Sequence, residues 1–297
     1  MDQDLFIITV YCLVVEHYPP LVEQYGGRRG GCPPTLTDEE VLTMEICGEY
    51  LKLASDKDLY EYFAKPYRHF FPHLTERTSF VRQAANLWQF TAALQHRLVQ
   101  VSGQAHDPVQ AIDTMPLPVC TYTRARRDKR FTDLADDGHC AAKKLDYYGF
   151  KLGVRLSRAG MIICAPLLAA RPHDVNHLGT LIEGCRGLVP ADKGFIDAYQ
   201  QQLWQARQHV QVVTPVRSNM AAPAQPALVK WTQRWRKLVE TVNSQLTERF
   251  NITRIRVRDF WHYQHRILRK VLAHTVLVFL NLRLRRPPLD FEGLVTV

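Results

Sequence analysis

Apolar residues along the first hundred positions recur at helical spacing. Thr37-Asp38-Glu39-Glu40 has the form of a capping box, with Thr37 as N-cap and Glu40 reaching back from three residues on. Val41, Met44, Ile46 and Leu51 continue that helix. A second helix is predicted from near Thr75 through Phe80, Val81, Leu87, Phe90 and Leu94, after an aromatic turn region at Pro66–Pro72. Residues 1–105 therefore read as an all-α region. Several short helices could contain a helix-turn-helix, and a plain helical bundle fits the same pattern.

The texture changes after Gly103-Gln-Ala-His-Asp-Pro108. Val109–Ile112 is a short β-prone run that ends in Asp113. Tyr147–Leu156 and Met161–Leu168 read as strands, with a hairpin turn at Arg158-Ala159-Gly160. A helix over Leu178–Cys185 precedes a short strand, Gly187–Val189, which runs into Ala191-Asp192. A helix over Ala198–Gln208 and a strand over Val210–Pro215 follow. After a Pro/Ala loop at Asn219–Pro226 the pattern is helical from Leu228 onward. The order β, ββ, α, β, α, β and then helices predicts an α/β domain over 106–297, with helices on the faces of the sheet. No internal repeat is visible.

Charge sharpens this picture. The chain has 297 residues, with 38 Lys+Arg against 29 Asp+Glu, a net charge of +9. Such an excess points to a polyanionic partner, nucleic acid first and an anionic membrane second. It is unevenly spread. Residues 1–105 carry 9 Lys+Arg and 13 Asp+Glu, residues 106–229 carry 15 and 11, and residues 230–297 carry 14 and 5. The seven cysteines are irregularly spaced and form no C-x-x-C pair, which suits reduced thiols in the cytosol better than a disulfide framework or a zinc ribbon. The apolar run Phe6–Val15 follows Asp2 and Asp4, so a buried helix is expected there and not a secretory signal. Val276–Leu280 is too short to span a bilayer, and no transmembrane segment is predicted.

Two aspartates stand at predicted strand ends, Asp113 and, 79 residues later, Asp192; Glu240 lies 48 residues further on a predicted helix. A strand end holds a side chain rigidly while giving it open space. Three carboxylates brought together would repel by roughly 4 kcal/mol per pair at about 4 Å and an effective dielectric of 20. Protonation or a hard divalent cation relieves that repulsion. Two such ions can activate water and stabilise the leaving oxygen of a phosphodiester. Composition alone leaves open whether the three residues meet, because an Asp at a strand end is also a common turn or cap residue.

Four stretches carry a resemblance. Ala111-Ile-Asp-Thr-Met-Pro-Leu-Pro-Val-Cys120, Tyr148-Gly-Phe-Lys151, Ala191-Asp-Lys-Gly-Phe195 and Arg236-Lys-Leu-Val-Glu-Thr-Val-Asn-Ser-Gln-Leu246 resemble, in order and spacing, the DDE transposases of bacterial insertion sequences, in particular the insertion-sequence nine-eighty-two family. The resemblance implies an RNase H-like mixed sheet flanked by helices, with Asp113, Asp192 and Glu240 as a triad holding Mg²⁺ or Mn²⁺, two ions together. It implies metal-dependent DNA cleavage and strand transfer at terminal inverted repeats, double-stranded DNA at transposon ends and target as partner, a homodimer or higher assembly, and a bacterial cytosolic location. Related transposases often have Gly-Asp-Lys-Gly-Tyr where this chain has Ala191 and Phe195. They also differ at Gln233, Asn243 and Thr247. A nuclease without strand transfer and a decayed, DNA-binding copy are the alternatives.

Basic residues beside these motifs are expected to bind phosphate: Arg124, Arg126 and Arg127 after the first strand, Lys151, Lys193, Arg236, Lys237, and Arg254 and Arg256 beyond Glu240. Arg77, Arg82 and Arg97 would serve any N-terminal recognition helix. Trp231, Trp235, Trp261 and Tyr263 could stack on bases or belong to the core. Glu248, about 80° further round the same helix, is the runner-up to Glu240. Asp197 reads as a helix N-terminal charge. His173-Asp174-Val-Asn-His177 has zinc-like spacing but no second ligand pair, so a turn capped by Asp174 is favoured. Cys120 reads as packing.

Overall fold

The computed structural model describes residues 1–27, 33–128, 130–140, 144–216 and 226–295. The chain divides into two compact units, Ser102–Thr247 and a helical unit made of Met1–Val101 with Glu248–Val297. The sequence pattern assigns everything from 106 to the C-terminus to one α/β domain. In the structure the last fifty residues belong with the N-terminal helices. The physical reason lies in the final helix, described below, whose apolar residues and inward charges both meet the N-terminal helices.

The N-terminal part of the helical unit comprises α1 (Gln3–His17), α2 (Pro19–Tyr25), α3 (Asp38–Tyr50), α4 (Asp56–Ala64), α5 (Arg77–Asn86) and α6 (Trp88–Val101). Asp2 caps α1 by accepting the Leu5 N–H at 2.7 Å. The capping box on α3 is complete: Thr37 Oγ1 accepts from Glu40 N at 3.2 Å, and Thr37 N donates to Glu40 Oε2 at 2.7 Å. Phe6, Ile7, Val10, Leu13 and Val14 turn α1 into the core against α3 and α6. Among the described residues, Gln3–Tyr25 is the one helical stretch long and apolar enough to cross a membrane.

The other unit is mixed α/β. Its strands are β1 (Ala111–Thr121), β2 (Asp136–Cys140), β3 (Leu145–Leu156), β4 (Ile162–Cys164), β5 (Leu167–Ala169), β6 (Gly187–Pro190) and β7 (Val210–Val213). The helices are α7 (Leu178–Ile182), α8 (Ala198–Gln208) and α9 (Pro226–Ser244). β3 is the spine: β1 runs antiparallel along one side, while β2, β5 and β4 share the other. β6 and β7 are parallel, joined through α8, as a crossover helix requires. A parallel bridge, Val109 to Leu188, links the start of β1 to β6, with Gln110 N donating to Leu188 O at 3.0 Å and Leu188 N to Pro108 O at 2.9 Å. Asp107 fixes this entry to β1 by accepting from Val109 N and, through its other oxygen, from Arg158 N.

The expected hairpin is present, and Gly160 closes it with φ +76°, in the left-handed region. The expected first strand is longer than its apolar run, because the alternation continues through Met115 and Leu117, both buried. At Pro118–Cys120 the register with β3 shifts, and Gly149 lies against this bulge. A Cβ at residue 149 would stand 2.3 Å from Leu117 O and 2.8 Å from Val119 N, so only glycine lets the two backbones approach. The expected 178–185 helix ends earlier, at Ile182. Of the 219–226 loop, residues 219–225 lie outside the described residues, and Pro226 opens α9.

The final helix, α10 (Phe260–Arg283), packs on α3 and α6 in the helical unit. It carries His265, Arg266, Arg269 and Lys270 inward. Arg269, 2% exposed, donates to Glu49 Oε1 at 2.6 Å and to Glu45 Oε1 and Asp56 Oδ1 at 3.1 Å each. Lys270 pairs with Glu49 at 2.7 Å, Arg266 with Asp56 at 2.7 Å, and His265 with Glu45 at 3.1 Å. Each buried charge here has an opposite partner at hydrogen-bond distance, the condition under which such burial is tolerated. This pairing explains much of the uneven charge along the sequence. Bases from the last segment neutralise acids from the first.

Counted by unit, the helical part holds 19 Lys+Arg against 17 Asp+Glu, a net of +2. Residues 102–247 hold 19 against 12, a net of +7. The basic excess thus belongs to the unit with the sheet.

Candidate active site

Asp113 is the third residue of β1, opposite Val154 of β3, so it sits inside a paired strand and not at its end. Ile112 beside it is buried in a cluster with Leu178, Leu181, Val189, Ala191 and Phe195. Alternation sends the Asp113 side chain to the opposite face from Ile112. There its Oδ2 accepts a hydrogen bond of 2.9 Å from Asn243 Nδ2 on α9. Burial is the largest influence on the Asp113 carboxyl. Together with the negative charges of Asp192 and Asp174, and against donors from Thr114 N and Asn243, it pushes the pKa up to about 7.

Asp192 follows β6 and is exposed. It caps the tight turn Lys193–Phe195, its Oδ1 accepting from Lys193 N at 2.7 Å. The flanking Ala191 and Phe195 are both in the core cluster, so the pair anchors the turn and leaves Asp192 outward. Glu240 lies on α9, which buries Thr232, Trp235, Val239 and Val242 and packs on β1. Leu238 on the same helix is only half-buried, and Trp235 takes an inward place. Glu240 itself is 59% exposed, and its Oε1 accepts from Arg236 Nε at 2.8 Å. Arg236 is held protonated more firmly by that hydrogen bond first, then by the charges of Asp192, Glu240 and Asp113. One guanidinium thus lies in the field of all three expected acids.

The structure brings Asp113 and Asp192 into electrostatic contact and turns Glu240 toward Arg236. Among the described residues no three His, Cys, Asp or Glu side chains are placed to hold a metal ion together. The donor chemistry nonetheless suits a hard divalent cation. The set is all oxygen, the charges of Asp192 and Asp174 act on Asp113, and Asn243 Oδ1 is buried with no hydrogen-bond partner.

The basic residues divide. Arg124, Arg126 and Arg127 are exposed just beyond β1, as are Lys193, Arg236 and Lys237. Arg254 and Arg256 are exposed on the helical unit, to which Glu248 also belongs. Lys151 departs from the expectation that it binds phosphate. It is buried, with Nζ donating to Asp174 Oδ1 at 2.9 Å and to Pro172 O at 2.8 Å. Strand alternation sets it on the face opposite Phe150 and Leu152, where Pro172 and Asp174 cover it and Asp174 supplies the compensating charge.

Asp174 is also not the cap that the sequence suggests. It opens the turn Asp174–His177 without a side-chain capping bond, and its carboxylate goes instead to Lys151 and to Thr114 Oγ1, at 2.7 Å. His177 is buried and bonded to Ala169 O at 3.1 Å. Trp235 and Tyr263 are core residues, while Trp261 is exposed. Asp197 does cap α8, accepting from Gln200 N at 3.0 Å. Asn243 and Asp174 are the neighbours of Asp113 that sequence reasoning misses. The one available signal for Asn243 is its place one helical turn after Glu240.

Residues 103–260, just over half of the chain, match the family described as Transposase DDE domain. No curated protein and no solved structure matches the chain. The matched span covers β1 with Asp113, the turn with Asp192 and the whole of α9 with Glu240. The chain belongs to the transposase DDE-domain family.

Proposed function

We propose that this protein is an insertion-sequence transposase, of the nine-eighty-two type, which binds the terminal inverted repeats of its element, cuts DNA there and joins the ends to a target. The observation that carries the proposal is that Asp113, buried on β1, lies in the field of the Asp192 charge, inside the family-matched span and in the unit of net charge +7. Strand order supports an RNase H-like core. β1 has antiparallel β3 on one side and, through the Val109–Leu188 bridge, the parallel β6–β7 pair on the other.

Asp113, Asp192 and Glu240 would hold Mg²⁺ or Mn²⁺. When bound, two such ions supply Lewis acidity to the scissile phosphate and lower the pKa of the attacking water. The chain's own residues do the rest. Asn243 orients Asp113. Arg236 releases Glu240 toward the aspartates and takes up a phosphate oxygen in its place, since a guanidinium binds carboxylate and phosphate by the same fork. Exposed Arg124, Arg126, Arg127, Lys193 and Lys237 hold the strand. Joining two ends calls for a homodimer or higher assembly, working on DNA in the bacterial cytosol.

One observation favours a second reading. Glu240 is engaged by Arg236 and no three acids converge, as a decayed copy that binds DNA without cutting it would allow. Incubation with end-bearing DNA, a target plasmid and Mg²⁺ separates the readings. Joined molecules are expected. Cut ends alone would point to a nuclease, and binding without cutting to the decayed copy.

A further inference from the structure

Asp174 stands where three parts of the sheet unit meet. Its Oδ1 accepts from Thr114 Oγ1 at 2.7 Å and from Lys151 Nζ at 2.9 Å. Thr114 adjoins Asp113 on β1, and Lys151 lies on β3, where it pairs in register with Pro116. The third part is the turn that follows Asp192. A Cβ added at Gly194 would lie 3.1 Å from Asp174 Oδ2 and 3.6 Å from its Cβ, so that turn rests directly on Asp174. Lys151 is also tied to Pro172 O, which fixes the segment carrying Asp174 from a second point. The side chain is therefore clamped by β1 and β3 on one oxygen and abuts the Asp192 turn with the other.

We propose that Asp174 is a positioning residue for the acidic site, setting the separation between the strand that bears Asp113 and the turn that bears Asp192. The proposal rests on the reading of those two aspartates as metal ligands. Lys151 is the other half of the brace: it neutralises Asp174, so that the carboxylate spaces the site without competing for a cation. A Cβ at residue 194 would press on Asp174 more tightly than an ordinary contact, and with that carboxylate held by Thr114 and Lys151 the Asp192 turn is the part expected to give, by a few tenths of an ångström, with every charge left in place.

The test is Mn²⁺ binding to the full chain without DNA, followed by electron paramagnetic resonance, with thermal melts recorded on the same samples. Groups that orient metal ligands typically cost 10–100-fold in affinity when removed. Gly194→Ala and the charge-balanced pair Asp174→Ala with Lys151→Met are each expected to weaken Mn²⁺ binding about tenfold or more. Asp113→Asn serves as the reference. If Asp113→Asn leaves Mn²⁺ binding intact, the metal-ligand reading fails. If Asp113→Asn abolishes binding while Gly194→Ala and the double variant, folded by their melts, bind like the parent, the brace is overturned and the metal reading stands. Loss in Asp174→Ala alone that Lys151→Met restores fully would also overturn it, because charge balance and not spacing would then be the cause.

Discussion

Asn243 Nδ2 donates to Asp113 Oδ2 at 2.9 Å, tying α9, one turn beyond Glu240, to the strand that carries the first aspartate. The bond favours the ionised carboxylate, against the burial and like charges that oppose it. Asn243→Ala is therefore expected to destabilise the protein at pH 8 by about 1–3 kcal/mol, the usual cost of leaving a buried group without its partner. The loss shrinks at pH 5, where Asp113 is protonated and has less need of a donor. Chemical denaturation at the two pH values checks this, and equal losses at both would contradict it.

The raised Asp113 pKa has its own signature. Its folded-state value of about 7 lies above the ordinary 3.8, so between those values the folded chain binds more protons than the unfolded one. Stability from this group is then greatest below about pH 4, declines as pH rises, and reaches its minimum above pH 7. In metal-free buffer Asp113→Asn is expected to melt several degrees above the parent at pH 8 and to show no gain at pH 4. Millimolar Mg²⁺ should reverse the order at pH 8, since only the parent can bind it.

The Tyr148-Gly-Phe-Lys151 motif has a mechanical explanation. Gly149 lets β3 meet β1 at the bulge, Phe150 fills the core and Lys151 braces Asp174. Gly149→Ala meets backbone at 2.3 Å and cannot be relieved by a rotamer change, so a cost above about 1 kcal/mol is expected. Urea unfolding followed by circular dichroism measures it; an unchanged midpoint would contradict the register described here.

In the helical unit, Arg269 balances Glu45, Glu49 and Asp56, and holds the Asp56 carboxyl down at about 2 despite its burial. Arg269→Met leaves those acids short of a partner and is expected to cost about 3–5 kcal/mol. The acids then take up protons more readily, so the loss should be smaller at pH 5 than at pH 8.

Much of this fold was legible from periodicity and caps. Thr37 and Glu40 mark α3, and the bounds of α8 and the Gly160 hairpin follow from local signals alone. What stayed hidden depends on partners distant in sequence. Arg266, Arg269 and Lys270 look like a basic helix face until Glu45, Glu49 and Asp56 are set against them. Lys151 looks like a phosphate ligand until Asp174 appears beside it. Asp113 looks like a strand end because its neighbours Thr114 and Pro116 break the apolar run, although the ladder with β3 continues past them. The sequence pattern nominates Asp113, Asp192 and Glu240. Only the structure exposes their companions Asn243, Asp174 and the Arg236 clasp on Glu240.

As the proposed metal-dependent DNA-cutting centre, these acids can be tested together. The most direct measurement is cleavage of linear DNA bearing the element's own ends, with Mg²⁺ or with EDTA, by the parent and by Asp113→Asn, Asp192→Asn and Glu240→Gln. Cuts at the ends are expected from the parent with Mg²⁺ only, with a loss of at least about a hundredfold in each variant while DNA binding is retained. Cutting by Asp113→Asn at the parental rate, or cutting by the parent in EDTA, would contradict the proposal.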